Sequence, residues 1–245
     1  MEVYENLDSH FLEDHAVVLS TQLYKESDKI VHLYTANYGK LSFLAKNAAR
    51  SLKRFGAALE VFSHVKAHFK KGSHGAADSR IKFLEKVDLQ DSFLHLRSRF
   101  ESLESSFFVC KFVLDLLPEG SPDKLLFQAL GRFFRDSIEL DFSIHASWAR
   151  CAFLSWYARH AGFGSIDSFL WDDRESFRGE LKLAWQKSLS SGAPNFKDLF
   201  KVLSLSQETA PTLSDEVRLY QNWIASSGLH WEHFEKWLNS KQSAR

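Results

Sequence analysis

A chain of 245 residues, 44% apolar and 25% charged, is long enough to bury one large core or two modest ones in an ordinary globular fold. Its 31 basic and 31 acidic side chains cancel, which excludes bulk basicity as an argument for nucleic acid and leaves only local clustering. No apolar run approaches the roughly 18–20 residues of a membrane span, and the acidic start Met1-Glu2-Val3-Tyr4-Glu5 lacks the regions of a signal peptide, so a cytoplasmic protein with no membrane partner is expected.

Residues 1–14 are polar and read as a flexible lead or an added edge. From His15 to about Asp88 the pattern is β. The apolar run Ala16-Val17-Val18-Leu19 is followed by the polar turn Glu26-Ser27-Asp28. A second run, Ile30-Val31-His32-Leu33-Tyr34-Thr35, ends at Asn37-Tyr38-Gly39-Lys40, and a third, Leu41-Ser42-Phe43-Leu44-Ala45-Lys46, leads into Arg50-Ser51-Leu52-Lys53-Arg54. Ala57 to Lys71 alternates partially and is the longest strand candidate. After the small-residue loop from Lys71 to Asp78, Arg80 to Leu89 supplies a last strand, with Ile81 and Phe83 expected to point inward and Leu84 a further candidate. Five short strands in about 75 residues fit a five-stranded OB-fold barrel.

The apolar period then becomes helical. Leu94 to Leu117 is stopped by Pro118-Glu119-Gly120, and Ser121-Pro122-Asp123 starts the next helix, with Ser121 at the cap and Pro122 in the first turn. Ile144 to Ala161 is a third helix, ending at Gly162-Phe163-Gly164. Shorter helices follow over Ser176 to Ser188, Phe196 to Leu205, Ser214 to Ser226 and Trp231 to Asn239. The expected architecture is α+β and multidomain: an OB-fold over residues 1–88, then an all-α domain over 89–245.

Between Lys40 and Lys71 the basic residues are Lys40, Lys46, Arg50, Lys53, Arg54, Lys66, Lys70 and Lys71, against the single acid Glu60, a surplus of seven in a neutral chain. Such a surplus suits phosphate, because each neutralised phosphate releases condensed counterions. Tyr38 and Phe43 lie near the cluster, where bases could stack on them; core packing is the competing reading for both, and a solvated basic face is the competing reading for the cations. Other chemistries find no footing. Cys110 and Cys151 cannot make a four-thiolate zinc site and read as buried thiols. Glu26 and Asp28 sit in a turn, where Asp28 is expected to cap the following segment or to bond turn amides. His64 and His68 on one strand would stand about 13 Å apart, too far to share a metal. Neither a P-loop, nor Gly-x-Gly-x-x-Gly, nor Gly-x-Ser-x-Gly occurs. No catalytic residue, metal site or cofactor is expected, and the chain is expected not to be an enzyme.

The order Val18-Leu19, Glu26-Ser27-Asp28, Leu33-Tyr34-Thr35, Gly39-Lys40, Ala45-Lys46, Arg50-Ser51-Leu52-Lys53-Arg54 and Leu59-Glu60-Val61-Phe62 resembles the N-terminal domain of the bacterial recombination mediator family RecO. A second, looser likeness lies in Trp148-Ala149-Arg150-Cys151-Ala152-Phe153-Leu154 and the ending His160-Ala161-Gly162-Phe163, where Leu154 replaces the family's glutamate. Many members carry a four-cysteine zinc motif that two cysteines cannot build; zinc-free members also exist. The resemblance implies a bacterial, nucleoid-associated protein that binds single- and double-stranded DNA and anneals complementary strands. It also implies help in loading recombinase onto coated DNA, with RecR as partner. The helical domain would receive the acidic tail of single-stranded-DNA-binding protein, with Arg132, Arg135, Arg150 and Arg159 as candidate cations and a surface arginine as the competing reading for each. The alternative is an OB-fold interaction scaffold, or an RNA-binding module without annealing.

Overall fold

The five β-rich runs close into a barrel because each presents β-branched and aromatic residues on one face, and closure leaves no open sheet edge. The structure, a computed structural model, describes residues 11–70, 81–171, 180–190, 192–205, 213–232 and 234–236. Strands β1 (Phe11–Tyr24), β2 (Asp28–Thr35), β3 (Gly39–Ala45), β4 (His64–Lys70) and β5 (Ile81–Asp91) form a closed barrel in the order β1-β2-β3-β5-β4. Neighbours are antiparallel except β3 and β5, which run parallel through Ser42 opposite Ile81 and Leu44 opposite Phe83. This is the five-stranded OB-fold expected from the sequence. Its core is built from inward side chains, among them Val18, Val31, Leu33, Phe43, Val65 and Phe69.

One alternative in the sequence reading is decided, in favour of an added edge for residues 11–14, and two details differ. Residues 11–14 belong to β1 and pair with β4, and the buried Asp14 carboxylate accepts the Asn37 backbone N–H at 2.8 Å and its side-chain amide at 2.9 Å, fixing the β2–β3 turn. The long strand from Ala57 to Lys71 is only β4, because residues 52–62 coil as turns and Phe62 takes a left-handed φ of 77°. One side of that coil is nevertheless buried: Phe55, Ala58 and Leu59 plug the barrel core. In β5 the inward residues are Leu84 and Val87, while Phe83 is 45% exposed. The pairing of β4 with β5 shifts register between His68 and Phe69, where an extra residue on β5 breaks the two-residue period, so Phe83 lies out of phase with the core.

The chain divides into two units, Met1–Ser92 with Leu117–Phe127, and Phe93–Leu116 with Gln128–Arg245. The first therefore takes in a segment that the sequence reading gave to the helical domain. Hydrogen bonds explain why: the Gly120 N–H donates to the Lys40 carbonyl at 3.0 Å, and the Ser42 hydroxyl donates to the Glu119 carboxylate at 2.6 Å. A His32 ring nitrogen lies 3.0 Å from the same hydroxyl, and burial pushes the His32 imidazole below its ordinary pKa despite Glu119 nearby.

The helices named among the described residues are α1 (Phe100–Leu116), α2 (Lys124–Asp136), α3 (Phe142–His160), α4 (Glu180–Ser188), α5 (Phe196–Leu205) and α6 (Leu213–Ser227). Asp123, not Ser121, caps α2: its carboxylate accepts the N–H groups of Leu125 and Leu126 at 2.9 and 3.0 Å. The helical core is aromatic. Phe112 meets Phe153, Tyr157, Trp223 and Trp231 edge-on, the arrangement the ring quadrupole favours. Cys110 and Cys151 are buried, and desolvation raises both thiol pKa values.

Candidate nucleic-acid interface

The basic run sits on a loop that the fold holds in one shape. Leaving β3, the chain turns at Asn47, whose φ of 56° is a conformation asparagine tolerates. The Asn47 N–H donates to the Asp28 carboxylate at 2.8 Å, and the Ala49 N–H donates to the Ser27 carbonyl at 2.9 Å. Asp28 thus bonds a turn amide, as its position suggested, and ties the β3–β4 loop to the β1–β2 turn. Further on, the Arg54 guanidinium donates to the Lys46 carbonyl at 2.6 Å and to the Ser51 hydroxyl at 3.2 Å. The Val87 N–H then donates to the Arg54 carbonyl at 3.0 Å, fastening the loop to β5.

With Ala48, Phe55, Ala58 and Leu59 facing the core, the loop turns Lys46, Arg50 and Lys53 to solvent, and Arg54 is half-buried. Leu52 stands among them at 85% exposure. No acid occurs between Lys29 and Leu59. Among the described residues none of these four cations is paired with a carboxylate. Their charge is therefore available to an outside anion.

The remaining sequence candidates are placed differently. Lys66 and Lys70 lie on β4 and carry partners: Lys66 pairs with Glu13, and Lys70 lies 3.2 Å from Glu85. His68 bridges Glu13 at 3.0 Å and Asp88 at 2.7 Å, and Lys86 lies 2.6 Å from Asp88. The hydrogen bond from Lys66 holds the Glu13 carboxyl below its usual range, and those from Lys86 and His68 do the same for Asp88. The outer face of β1, β4 and β5 is thus neutralised by its own acids. Lys40 is 8% exposed, so it does not present its charge with the loop cations. Lys71 lies outside the described residues. Phe43 is buried in the barrel core and cannot offer a face to a base, which corrects the stacking role entertained for it. Tyr38 is half-exposed in the β2–β3 turn and meets Phe69 edge-on at 5.7 Å.

In the helical unit the four arginines also separate. Arg150 is buried and bonds Glu216 at 2.7 Å, Ser105 at 3.0 Å and Ser147 at 3.2 Å. Arg159 grips the fully buried Asp167 carboxylate at 2.6 and 2.8 Å, and Asp167 also accepts the Trp185 indole N–H at 2.5 Å. Arg150 holds the fold from inside and cannot rim a surface pocket, a correction to its assignment, while Arg159 is half-buried with its charge paired to Asp167. Arg132 donates to the Ala193 and Pro194 carbonyls at 3.1 and 2.9 Å, and Arg135 is exposed. The sequence reading missed Phe83, whose ring lies 4.8 Å from the Lys46 ammonium. Its aromatic identity was visible in the sequence; its outward direction was not, because the bulge resets the alternation. Among the described residues no group of three or more His, Cys, Asp or Glu could hold a metal ion, and no helix is long and apolar enough to cross a membrane.

Residues 10–91, the barrel with its basic loop, match the family described as "Recombination protein O N terminal". In this N-terminal region the chain is similar to the RecO family. The chain is also 35% identical over 125 residues to the DNA repair protein RecO of Syntrophobacter fumaroxidans, covering 51% of this chain and 47% of that one. It is 32% identical over 118 residues to the DNA repair protein RecO of Pelobacter propionicus, covering 48% and 46%, and 32% identical over 118 residues to that of Geobacter metallireducens, with the same coverage. The matched stretch thus spans about half the length of these relatives. The RecO match ends where β5 ends, so both the plug formed by residues 55–59 and the basic loop lie inside it.

Proposed function

We propose that this chain is a DNA repair and recombination mediator that binds single- and double-stranded DNA through the β3–β4 loop and anneals complementary strands. The observation that carries this reading is the group Lys46, Arg50, Lys53 and Arg54, held on a RecO-like barrel without carboxylate partners. Cations on a shaped loop neutralise phosphates, and releasing the condensed counterions supplies binding free energy that is independent of sequence. Two strands whose charges are screened on one surface can approach and pair; no bond of the protein needs to be made or broken, which is why the reading is a binding protein and not an enzyme. The wider role is help in loading recombinase onto DNA coated by single-stranded-DNA-binding protein, with RecR as partner. Contact with the acidic tail of the coating protein would bring the annealing loop to coated DNA by raising its effective concentration. In the helical unit, exposed Arg135 is the best placed of the original cations for that contact, with Arg132 beside it on α2.

The test is annealing of two complementary oligonucleotides, one carrying a donor and the other an acceptor, followed by the loss of donor emission as the strands pair. The native chain is expected to speed annealing over the spontaneous rate, and the variant with Lys46, Arg50, Lys53 and Arg54 all changed to Glu is expected to fall back to it. Equal rates with and without native protein would reject the annealing role.

A further inference from the structure

We propose that Phe83 and Lys46 form a stacking platform for the bases of single-stranded DNA on the outer face of β3 and β5. The inference rests on the DNA-binding reading above and deepens it by naming where the bases go. Phe83 is 45% exposed on a strand whose other large apolar residue nearby, Leu84, faces the core. Its neighbours across the sheet are Leu44 on β3 and then Ile30 on β2, both only partly exposed, so the outer surface carries an apolar row ending in one aromatic ring. The Lys46 ammonium lies over that ring at 4.8 Å, in the range of a cation–π contact. The Lys46 carbonyl is held by Arg54 at 2.6 Å, which ties the platform to the cation loop.

This combination fits a single strand better than a duplex or a protein. A duplex keeps its bases stacked on one another inside, so an isolated exposed ring has nothing to meet. A single strand offers both a polyanionic backbone and free π-faces, and base–aromatic stacking tolerates any sequence because every base has such a face. The loop's charge complements DNA, since Lys46, Arg50, Lys53 and Arg54 stand against the single acid Glu60 between β3 and β4. On binding, a base takes the position over Phe83 that the ammonium holds in the free protein. Lys46, on its flexible four-carbon stem, moves to the adjoining phosphate. Phosphate contacts thus set the salt dependence, and Phe83 adds affinity that salt does not screen.

The experiment measures oligothymidylate binding by fluorescence anisotropy for the native chain, Phe83→Ala, Phe83→Leu and Phe83→Tyr, each also against a strand of the same length made of abasic sites. Phe83→Ala and Phe83→Leu are expected to weaken binding of the normal strand roughly 5- to 150-fold with an unchanged salt slope. Phe83→Tyr is expected to bind as the native chain does. On the abasic strand all four should bind alike, because nothing is left to stack. Native-like binding of the normal strand by Phe83→Leu would overturn the platform, as would an equal loss on both strands. If at the same time the Lys46, Arg50, Lys53 and Arg54 charge reversal abolishes binding, the phosphate reading stands while the platform falls. If the native chain binds neither strand, both fall.

Discussion

Replacing Arg150 by Met is expected to lower the unfolding free energy of the helical unit by about 3–5 kcal/mol. Arg150 joins three helices: it bonds Ser105 on α1, Ser147 on its own helix α3 and Glu216 on α6, and it lies 3.8 Å from Glu104 on α1. The Arg150 and Glu216 side chains are only 7% and 4% exposed. Both charges have left water, so each depends on the other for compensation. Methionine fills much of the volume but strands the Glu216 carboxylate in an apolar interior, and that uncompensated charge is the source of the cost. All seven tryptophans lie at or after Trp148, in the helical unit, so urea unfolding followed by tryptophan fluorescence reads this unit and not the barrel. The midpoint should fall in the single variant. It should recover for the most part in Arg150→Met with Glu216→Leu, where neither charge remains. A single variant as stable as the native chain would show that Glu216 finds another partner or is protonated at little cost.

The second large effect is expected at Gly39. Its φ is +70°, and an added Cβ would stand 2.3 Å from the Ser121 carbonyl oxygen and 2.8 Å from the Pro122 nitrogen. The left-handed backbone alone costs an L-residue about 1–2 kcal/mol. The clash is with backbone, which cannot swing away as a side-chain tip can, and overpacking of this kind typically adds about 1–3 kcal/mol. Gly39→Ala should therefore destabilise the barrel by about 2–5 kcal/mol and loosen residues 117–127 from β3. Gly120 provides the control: its φ is also +70°, but a Cβ there meets nothing within 4 Å. Gly120→Ala should show only the backbone part. Far-UV circular dichroism follows the barrel, and hydrogen exchange at the Gly120 amide, which donates to Lys40, follows the docked segment. Equal losses for the two variants would mean that the segment yields without resistance.

The barrel was legible because β1, β2 and β3 carry regular runs broken by turn residues, and because the order of Val18-Leu19, Gly39-Lys40 and the basic run is distinctive together. The basic loop was legible as composition. Which of the candidate cations along the chain remain available was not, because that depends on partners far along the chain: Lys66 is neutralised by Glu13, and Arg150 by Glu216. Pairings across such distances follow from strand register and helix packing, neither of which a local pattern encodes. The outward turn of Phe83 was hidden by one extra residue in β5, since a single bulge exchanges the two faces of a strand. Gly39 was readable as a turn glycine. That it also admits the backbone of Ser121 and Pro122 follows only from the docking of a segment some eighty positions later.

The central claim, that the β3–β4 loop binds DNA through cations that no carboxylate pairs, is tested most directly by single-stranded oligonucleotide affinity across a salt series. For the native chain the logarithm of affinity should fall with the logarithm of salt at a slope near −0.7 per phosphate contacted, or about −3 if all four cations engage. The variant with Lys46, Arg50, Lys53 and Arg54 changed to Glu should lose binding at every salt concentration. A native chain whose affinity does not respond to salt, or a variant that binds as the native chain does, would contradict the account.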